Sequence, residues 1–218
     1  MKRSEVNQFI REAEGFFAAH LFQLPPVARW SPDDWERAGS DADMIRAQGL
    51  GWDITDLGKG DFENLGLLLF TLRNGAHYAE KIMIVREKQI TPWHFHWKKV
   101  EDIINRGGGI LTVELAWATP DESALDETRP VEVYCDGVRR IVPARGYVDL
   151  APGESITLPP LLYHKFYGAP GGGNVLVGEV SLKNDDMTDN RFLEEMGRFP
   201  AIEEDEPAYR LLCSEYNK

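Results

Sequence analysis

The stretch PWHFHWKKVE, residues 92–101, decides the fold and leads through DIINR to three glycines at positions 107–109. It holds two of the chain's five histidines. Residues two apart on an extended strand point to the same face, so His94 and His96 can direct both imidazoles at one point while Phe95 packs behind them. Glu101 lies beyond the reach of that strand face and must come from the start of the following element. The glycines predict a turn.

A third histidine follows an apolar run that two prolines stiffen. Residues 158–164 read LPPLLYH and end in His164. With His94, His96 and Glu101 it makes a set of three nitrogen ligands and one oxygen ligand. Such a set fits a divalent ion such as manganese, iron, nickel or zinc and leaves coordination positions for water or substrate. The His-x-His pair alone carries little weight, because paired surface histidines without a metal are common.

The spacing of these residues resembles both sequence motifs of the cupin superfamily. The pattern H-x-H-x4-E-x6-G over residues 94–108 corresponds to the first motif, and P-x4-H over residues 159–164 corresponds to the second. The resemblance strengthens the metal interpretation. The chain departs from it at Lys88 and Leu161, where the motifs usually have glycine. Neither residue is a ligand, so the departures concern turn geometry and not the metal.

Composition indicates one acidic domain. The chain has 218 residues, of which 43% are hydrophobic, and a formal charge of −12. This charge disfavours nucleic acid and anionic membrane surfaces, which require a basic footprint. No apolar run approaches the roughly 20 residues that span a bilayer, and no secretory signal is evident, so we expect a cytoplasmic protein. Cys135 and Cys213 stand far apart and predict neither a disulfide framework nor a thiolate zinc site.

Helices are expected in the first 50 residues and strands after them. Ser4 is placed to cap an amphipathic helix, a second helix begins at Ser31, and a third covers residues 41–47. Strands are predicted at residues 52–56, 65–72, 78–85, 89–96, 110–116, 131–135, 139–142, 147–150, 155–158, 164–167 and 175–182. Residues 189–195 are expected to form a short helix or turn.

Many short strands without intervening helices favour an antiparallel sandwich or closed barrel. With the cupin motifs, the expected fold is mainly β: a jelly-roll barrel of antiparallel strands with packed N-terminal helices and a short C-terminal helical segment. We expect one domain, with a helical extension over residues 1–50, a barrel over 51–185 and a C-terminal extension over 186–218.

Residues that flank the metal motif indicate one particular family within the cupin superfamily. They are WDITDLG at 52–58, LLLFTLRNG at 67–75, YAEK at 78–81, EDIINRGGG at 101–109, NDD at 184–186 and DNRF at 189–192. These runs resemble the D-lyxose isomerase family of sugar ketol-isomerases, over essentially the full chain. The resemblance implies interconversion of D-lyxose with D-xylulose and, more slowly, of D-mannose with D-fructose. It also implies a manganese cofactor on His94, His96, Glu101 and His164, and a homodimer.

An aldose–ketose isomerisation by way of a cis-enediol needs a base that moves a proton between C2 and C1, while the metal acts as Lewis acid and template for O1 and O2. Carboxylates and lysines are the usual candidates. Lys99 lies close enough to donate to a substrate oxygen. Glu194 looks like a carboxylate that the family brings to the pocket. Glu179, a charge in a core-like strand, is the reserve candidate for the base.

Three further residues are candidates for substrate binding. Arg191 could hold sugar hydroxyls or pair with an acid, and Trp93 could form an apolar wall against the sugar. Lys81 points into the barrel or out to solvent, depending on a strand register that the sequence does not fix.

Two rival functions remain open at this point. Three histidines and a glutamate also hold redox iron in an Fe(II) dioxygenase. A non-catalytic sugar-binding cupin with a structural metal is the second alternative, in which Lys99 and Glu194 are surface charges.

Overall fold

The structure, a computed structural model, describes residues 1–185 and 188–216 and begins with helices. They are α1 (Arg3–Ala19), α2 (Pro32–Ala38) and α3 (Asp43–Gln48), with 3₁₀ turns at Pro26–Arg29 and Gly39–Ala42. A further 3₁₀ turn covers Cys213–Glu215. None of these helices is long and apolar enough to cross a membrane.

The first helix is capped differently from the prediction. It begins at Arg3 with Lys2 as the N-cap residue, and the side chain of Glu5 accepts a hydrogen bond from the Lys2 backbone. The expectation that Ser4 caps the helix is wrong, because its hydroxyl instead donates to Asp205 at 2.7 Å. This contact ties the start of the helix to the C-terminal part of the chain.

The strands form two antiparallel sheets. They are β1 (Gly51–Thr55), β2 (Leu67–Asn74), β3 (Ala79–Val85), β4 (Thr91–Phe95), β5 (Glu101–Gly108), β6 (Leu111–Trp117), β7 (Val131–Cys135), β8 (Val138–Val142), β9 (Tyr147–Leu150), β10 (Ser155–Leu158), β11 (Leu162–Gly168), β12 (Val175–Ser181) and β13 (Arg191–Phe192). The eight-stranded sheet has the order β1-β2-β3-β12-β5-β10-β7-β8 and the five-stranded sheet has the order β13-β4-β11-β6-β9. The predicted mainly β, antiparallel fold is confirmed.

Two segments differ from the sequence prediction. Residues 101–108 form β5, which pairs with β12 and β10, where only a turn at the glycines is predicted. Gly108 lies within this strand at φ 88°, and a Cβ there would collide with the carbonyl oxygen of Asn174. Residues 189–195 are not helical; they contain β13, which pairs with β4. The C-terminal extension therefore completes a sheet.

The eight-stranded sheet separates two hydrophobic clusters. One face packs on α1 through Trp52, Phe70 and Ile82, and the other faces the five-stranded sheet through Met83 and Val177. Period-two alternation along each strand produces this division.

Polar residues replace apolar ones at one end of the face toward the five-stranded sheet. Thr71, Lys81 and Glu179 lie opposite one another on three neighbouring strands. Lys81 and Glu179 are two residues away from Met83 and Val177, so strand alternation places them on the same face. Burial of charged groups at this end marks it as the place to look for a site.

Lys88 and Leu161 adopt the left-handed conformation, with φ of 65° and 63°. These are the two positions at which the cupin motifs usually have glycine, so the chain keeps the turn geometry without the residue that favours it. The backbone amide of Leu161 donates to the carbonyl of His96 at 2.9 Å. This turn thereby joins the end of β4 to the start of β11, which carries His164.

The left-handed turn generates a stability prediction. Leu161→Gly should be more stable than Leu161→Ala by about 1 kcal/mol, because only alanine keeps the Cβ that clashes in this conformation. The free energies of unfolding from urea titrations measure the difference. At a position with a negative φ the alanine variant is instead the more stable one, by roughly 0.5–1 kcal/mol. A more stable alanine variant at residue 161 would contradict the left-handed conformation.

Candidate metal centre and active site

Both sheets contribute to a group made of the four predicted metal ligands. His94 lies in β4, His96 follows the end of that strand, Glu101 begins β5, and His164 lies in β11 directly opposite His94. One side-chain nitrogen or oxygen from each residue lies within 4.8 Å of the others. All four side chains are buried. Residues far apart in sequence therefore converge on one point.

Backbone carbonyl groups orient the three imidazoles. Nδ1 of His94 lies 2.8 Å from the carbonyl oxygen of Pro92, and Nδ1 of His164 lies 3.0 Å from that of Leu162. Nδ1 of His96 contacts the carbonyl oxygen of Asp189 in the same way. A carbonyl oxygen only accepts, so each Nδ1 donates, and the neutral ring presents the lone pair of Nε2 for a metal.

The pKa values of this group favour metal binding, because they leave its donor atoms deprotonated at neutral pH. Burial lowers the pKa of His94 well below its usual value, and the nearby imidazoles lower it further. Burial also lowers the pKa of His96. For Glu101, burial alone would raise the pKa, but Lys99 and the histidines outweigh burial and hold it well below the usual range. The group therefore combines the neutral imidazoles of His94 and His96 with a charged carboxylate.

One close contact tests whether the group suits a cation. His164 Nε2 lies 3.0 Å from Glu101 Oε1, yet both atoms are buried and neither makes a hydrogen bond. Because Nδ1 of His164 donates to Leu162, a neutral ring turns the lone pair of Nε2 toward the carboxylate, and buried polar atoms without a partner are unfavourable. A cation between them would satisfy both, and three nitrogens with one carboxylate oxygen suit a divalent ion.

A buried cluster of charges adjoins this group. Lys99 Nζ lies 2.7 Å from Glu101 Oε2 and 3.0 Å from Glu179 Oε1. Lys81 Nζ lies 3.2 Å from Glu179 Oε1 and donates to Asn184 Oδ1 at 2.8 Å. The cluster pairs two ammonium groups with two carboxylates, which is the condition for burying them.

These contacts set the charges in the cluster. Burial alone would lower the pKa of Lys99, but Glu101 and Glu179 outweigh it and raise that pKa. Burial alone would raise the pKa of Glu179, but Lys81 and Lys99 outweigh it and lower that pKa. At neutral pH Lys99 is thus a protonated hydrogen-bond donor and Glu179 is a charged carboxylate.

One pocket is lined by three members of the metal group and by the charged cluster: His94, His96, Glu101, Lys81, Lys99 and Glu179. Its other polar lining residues include Thr55, Thr91, Asn190 and Arg198, and its apolar lining includes Leu69, Met83, Phe166 and Phe192. Sequence reasoning assigned none of these to the site. The run DNRF at 189–192 was a signal for Asn190 and Phe192, but only the pairing of β13 with β4 brings them to the pocket.

Three of the residues predicted for catalysis or substrate binding do not line this pocket. Arg191 lies opposite Phe95 in the ladder, on the strand face away from His94. Glu194 is exposed, and with Trp93 and Lys165 it lines a separate groove. The structure therefore places Arg191, Trp93 and Glu194 outside the lining of this pocket, and their roles stay predictions. Strand alternation at β4 and β13 explains the placement of Trp93 and Arg191; Glu194 lies beyond the end of β13.

Asp189 is a further residue that sequence reasoning missed. Its carboxylate accepts hydrogen bonds from the backbone amides of Lys98 and Lys99, both at 2.9 Å. Its carbonyl oxygen holds the ring of His96. One residue of the C-terminal segment thereby fixes a metal ligand and the turn that carries Lys99.

The fold and the site together define a class: cupin-like proteins with a buried group of three histidines and a glutamate that could hold a divalent metal. Among solved structures, L-ribose isomerase from Geodermatophilus obscurus matches with a TM-score of 0.61 at 18% identity, over 93% of this chain and 98% of that one. L-Ribose isomerase from Cellulomonas parahominis, solved with L-ribose, matches with a TM-score of 0.59 at 17% identity, over 93% and 98%. At such identities the likeness shows the fold.

The sequence comparisons are more specific. The profile of a family described as D-lyxose isomerase matches residues 1–216. A D-lyxose/D-mannose isomerase from Serratia proteamaculans is 51% identical, over 99% of this chain and 98% of the relative. One from Escherichia coli O157:H7 is 48% identical, over 100% and 99%. The chain belongs to the D-lyxose isomerase family, which confirms the resemblance, and the protein is an isomerase.

The geometry of the four residues predicts a stability effect of metal. Manganese should raise the melting temperature of the metal-stripped protein, because an ion that binds only the folded state stabilises it by about 2.7 kcal/mol at 100 times its Kd. His94→Ala should lose this response. His77→Ala is the matched control, since His77 is exposed and outside the site, and it should respond like the unmodified protein. Equal responses of all three proteins would rule out the assignment.

Proposed function

We propose that this protein interconverts D-lyxose with D-xylulose and D-mannose with D-fructose, with manganese as its divalent cofactor. The observation that carries the proposal is the pocket in which Glu179 and Lys99 lie beside the group of three histidines and Glu101. The names of the two relatives at about half identity, D-lyxose/D-mannose isomerase, supply the substrates. The rival dioxygenase and sugar-binding functions are not favoured by these relatives.

His94, His96, Glu101 and His164 would hold the cation. When bound, it would supply Lewis acidity and a template for neighbouring oxygens of the sugar. The carbonyl groups of Pro92 and Leu162 keep two of the rings in place, and Lys99 holds the second oxygen of Glu101. These contacts keep the donor atoms aligned before the sugar enters.

Glu179 is the proposed base of the reaction. Its carboxylate is buried in the pocket, carries a charge at neutral pH and belongs to none of the proposed ligands. In the aldose-to-ketose direction it takes the proton from C2 and returns it to C1, while the proton of the O2 hydroxyl passes to O1. Lys81, which contacts both Glu179 and Asn184, positions the carboxylate.

Lys99 is the proposed donor to the sugar oxygen on which negative charge develops. Its ammonium group stays protonated because two carboxylates raise its pKa. A charged donor already in place stabilises a developing oxyanion without reorganisation during the reaction. Arg191, Trp93 and Glu194 have no part in this mechanism.

The cellular setting is also part of the proposal. Cys135 forms no disulfide with any described residue, which suits the reducing cytoplasm, and the net charge of −12 suits a small neutral substrate better than a nucleic acid. A homodimer is proposed from the family resemblance. Sedimentation of the purified protein measures it.

Turnover tests the proposed function. Metal-stripped protein should not convert D-lyxose, and added manganese should restore conversion to D-xylulose. In heavy water the product should carry deuterium at C1, because the proton on Glu179 exchanges with solvent during the enediol step. Conversion without deuterium would replace proton transfer by a hydride shift. Absence of conversion with manganese, cobalt or nickel, in folded and metal-loaded protein, would defeat the isomerase proposal.

Substitution of two glutamates tests the assignment of the base. Glu179→Gln should lower kcat by at least about 100-fold, the lower range for loss of a general base, with metal content unchanged. Glu194→Gln, the matched control in the separate groove, should stay within about twofold of the unmodified protein, as surface changes usually do. Loss of kcat in Glu194→Gln and not in Glu179→Gln would reverse the assignment.

A further inference from the structure

The wall of the metal pocket contains a hydroxyl group without a hydrogen-bond partner among the described residues. Thr91 begins β4 and lines the pocket with 7% of its surface exposed. Its Oγ1 is buried and makes no hydrogen bond to any described residue. A hydroxyl that is both buried and unpaired is destabilising, and it calls for an explanation such as a ligand.

Several apolar side chains line the same pocket as Thr91. It lies opposite Phe166 in the ladder between β4 and β11, and Leu67, Met83 and Phe192 line the same pocket. The ammonium and carboxylate groups instead cluster about Glu101 and Glu179. Thr91 therefore adds a neutral hydroxyl group to a pocket whose charged groups are paired with one another.

The distance along the strand suits an open-chain sugar. An irregularity in the pairing with β11 lies between Thr91 and His94, and both residues line the pocket. The partner strand covers the same stretch in two residues, from His164 to Phe166, which is about 7 Å at the usual rise per residue. A sugar held by its C1–C2 end beside His94 can extend its remaining carbons along β4 toward Thr91. A polyol presents hydroxyl groups that both donate and accept, as the threonine hydroxyl requires.

We propose that Thr91 binds a sugar hydroxyl on the carbons remote from C1 and C2, and so helps to determine which sugars the enzyme accepts. This inference rests on the proposed isomerase function and adds one contact between the enzyme and its substrate. Thr91 acts by binding and has no part in proton transfer. It is thus a specificity residue on the metal-bearing strand itself.

Thr91→Val tests the proposal, because it removes the hydroxyl and keeps the β-branched shape. The variant should have a melting temperature about 2–4 °C higher, since an unpaired buried hydroxyl is lost. Its kcat/KM for D-lyxose should nevertheless fall by about threefold to tenfold, the value of one neutral hydrogen bond. Higher stability with poorer substrate use is not expected of a purely structural residue.

Deoxygenated substrates identify the contact. The unmodified protein and Thr91→Val are compared on D-lyxose and on its 3-deoxy, 4-deoxy and 5-deoxy analogues. The unmodified protein should lose kcat/KM when the contacted hydroxyl is missing from the substrate. In Thr91→Val this loss should be about threefold to tenfold smaller for that analogue, because the variant has already lost the same hydrogen bond. An unchanged preference on every analogue overturns the proposal.

Thr112→Val is the matched control. Thr112 is also a buried strand threonine, but its hydroxyl donates to Asp149 at 2.7 Å and it does not line the pocket. It should lose stability and keep the substrate preference. The same loss of preference in this control would overturn the proposal as well.

A binding measurement separates this inference from the proposed function. Calorimetric titration of manganese-loaded protein with D-lyxose and the decisive analogue measures the hydroxyl contact without turnover. If D-lyxose binds but is not converted, the isomerase proposal fails while the contact is still measured. If Thr91→Val binds both sugars with the same ratio of Kd values as the unmodified protein, the contact is absent.

Discussion

The ammonium group of Lys99 between two buried carboxylates is the interaction on which the site depends. It contacts Glu101, a member of the metal group, and Glu179, the proposed base. Removing one partner of such a buried pair typically costs about 3–5 kcal/mol, because the other charge is left uncompensated. Lys81 adds a second cation on Glu179, so each carboxylate keeps a charge in a place where burial alone would neutralise it.

The C-terminal segment is the second constraint. Asp189 fixes both His96 and the turn at Lys99, and β13 places Phe192 beside His94. This segment is in turn held to the first helix by the buried ion pair of Arg3 with Glu215. Segments near both termini thus help to hold the metal centre in place, although its four proposed ligands all lie between residues 94 and 164.

Local pattern was sufficient to predict much of this arrangement. The alternation of short strands and the spacing of His94, His96, Glu101 and His164 depend on periodicity and motif, which a single sequence displays. The side of the sheet on which Lys81 lies depends on register, and register is a property of paired strands. Glu194 shows the same limit, because the segment before it pairs with β4 as a strand, where a short helix or turn is predicted.

The central claim is that His94, His96, Glu101 and His164 hold one divalent cation beside Glu179 and Lys99. Anomalous diffraction at the manganese absorption edge, from crystals of the manganese-loaded protein, tests it most directly. The account predicts one strong peak about 2.0–2.3 Å from a donor atom of each of the four residues. A peak at another site, or none in fully loaded crystals, would contradict it.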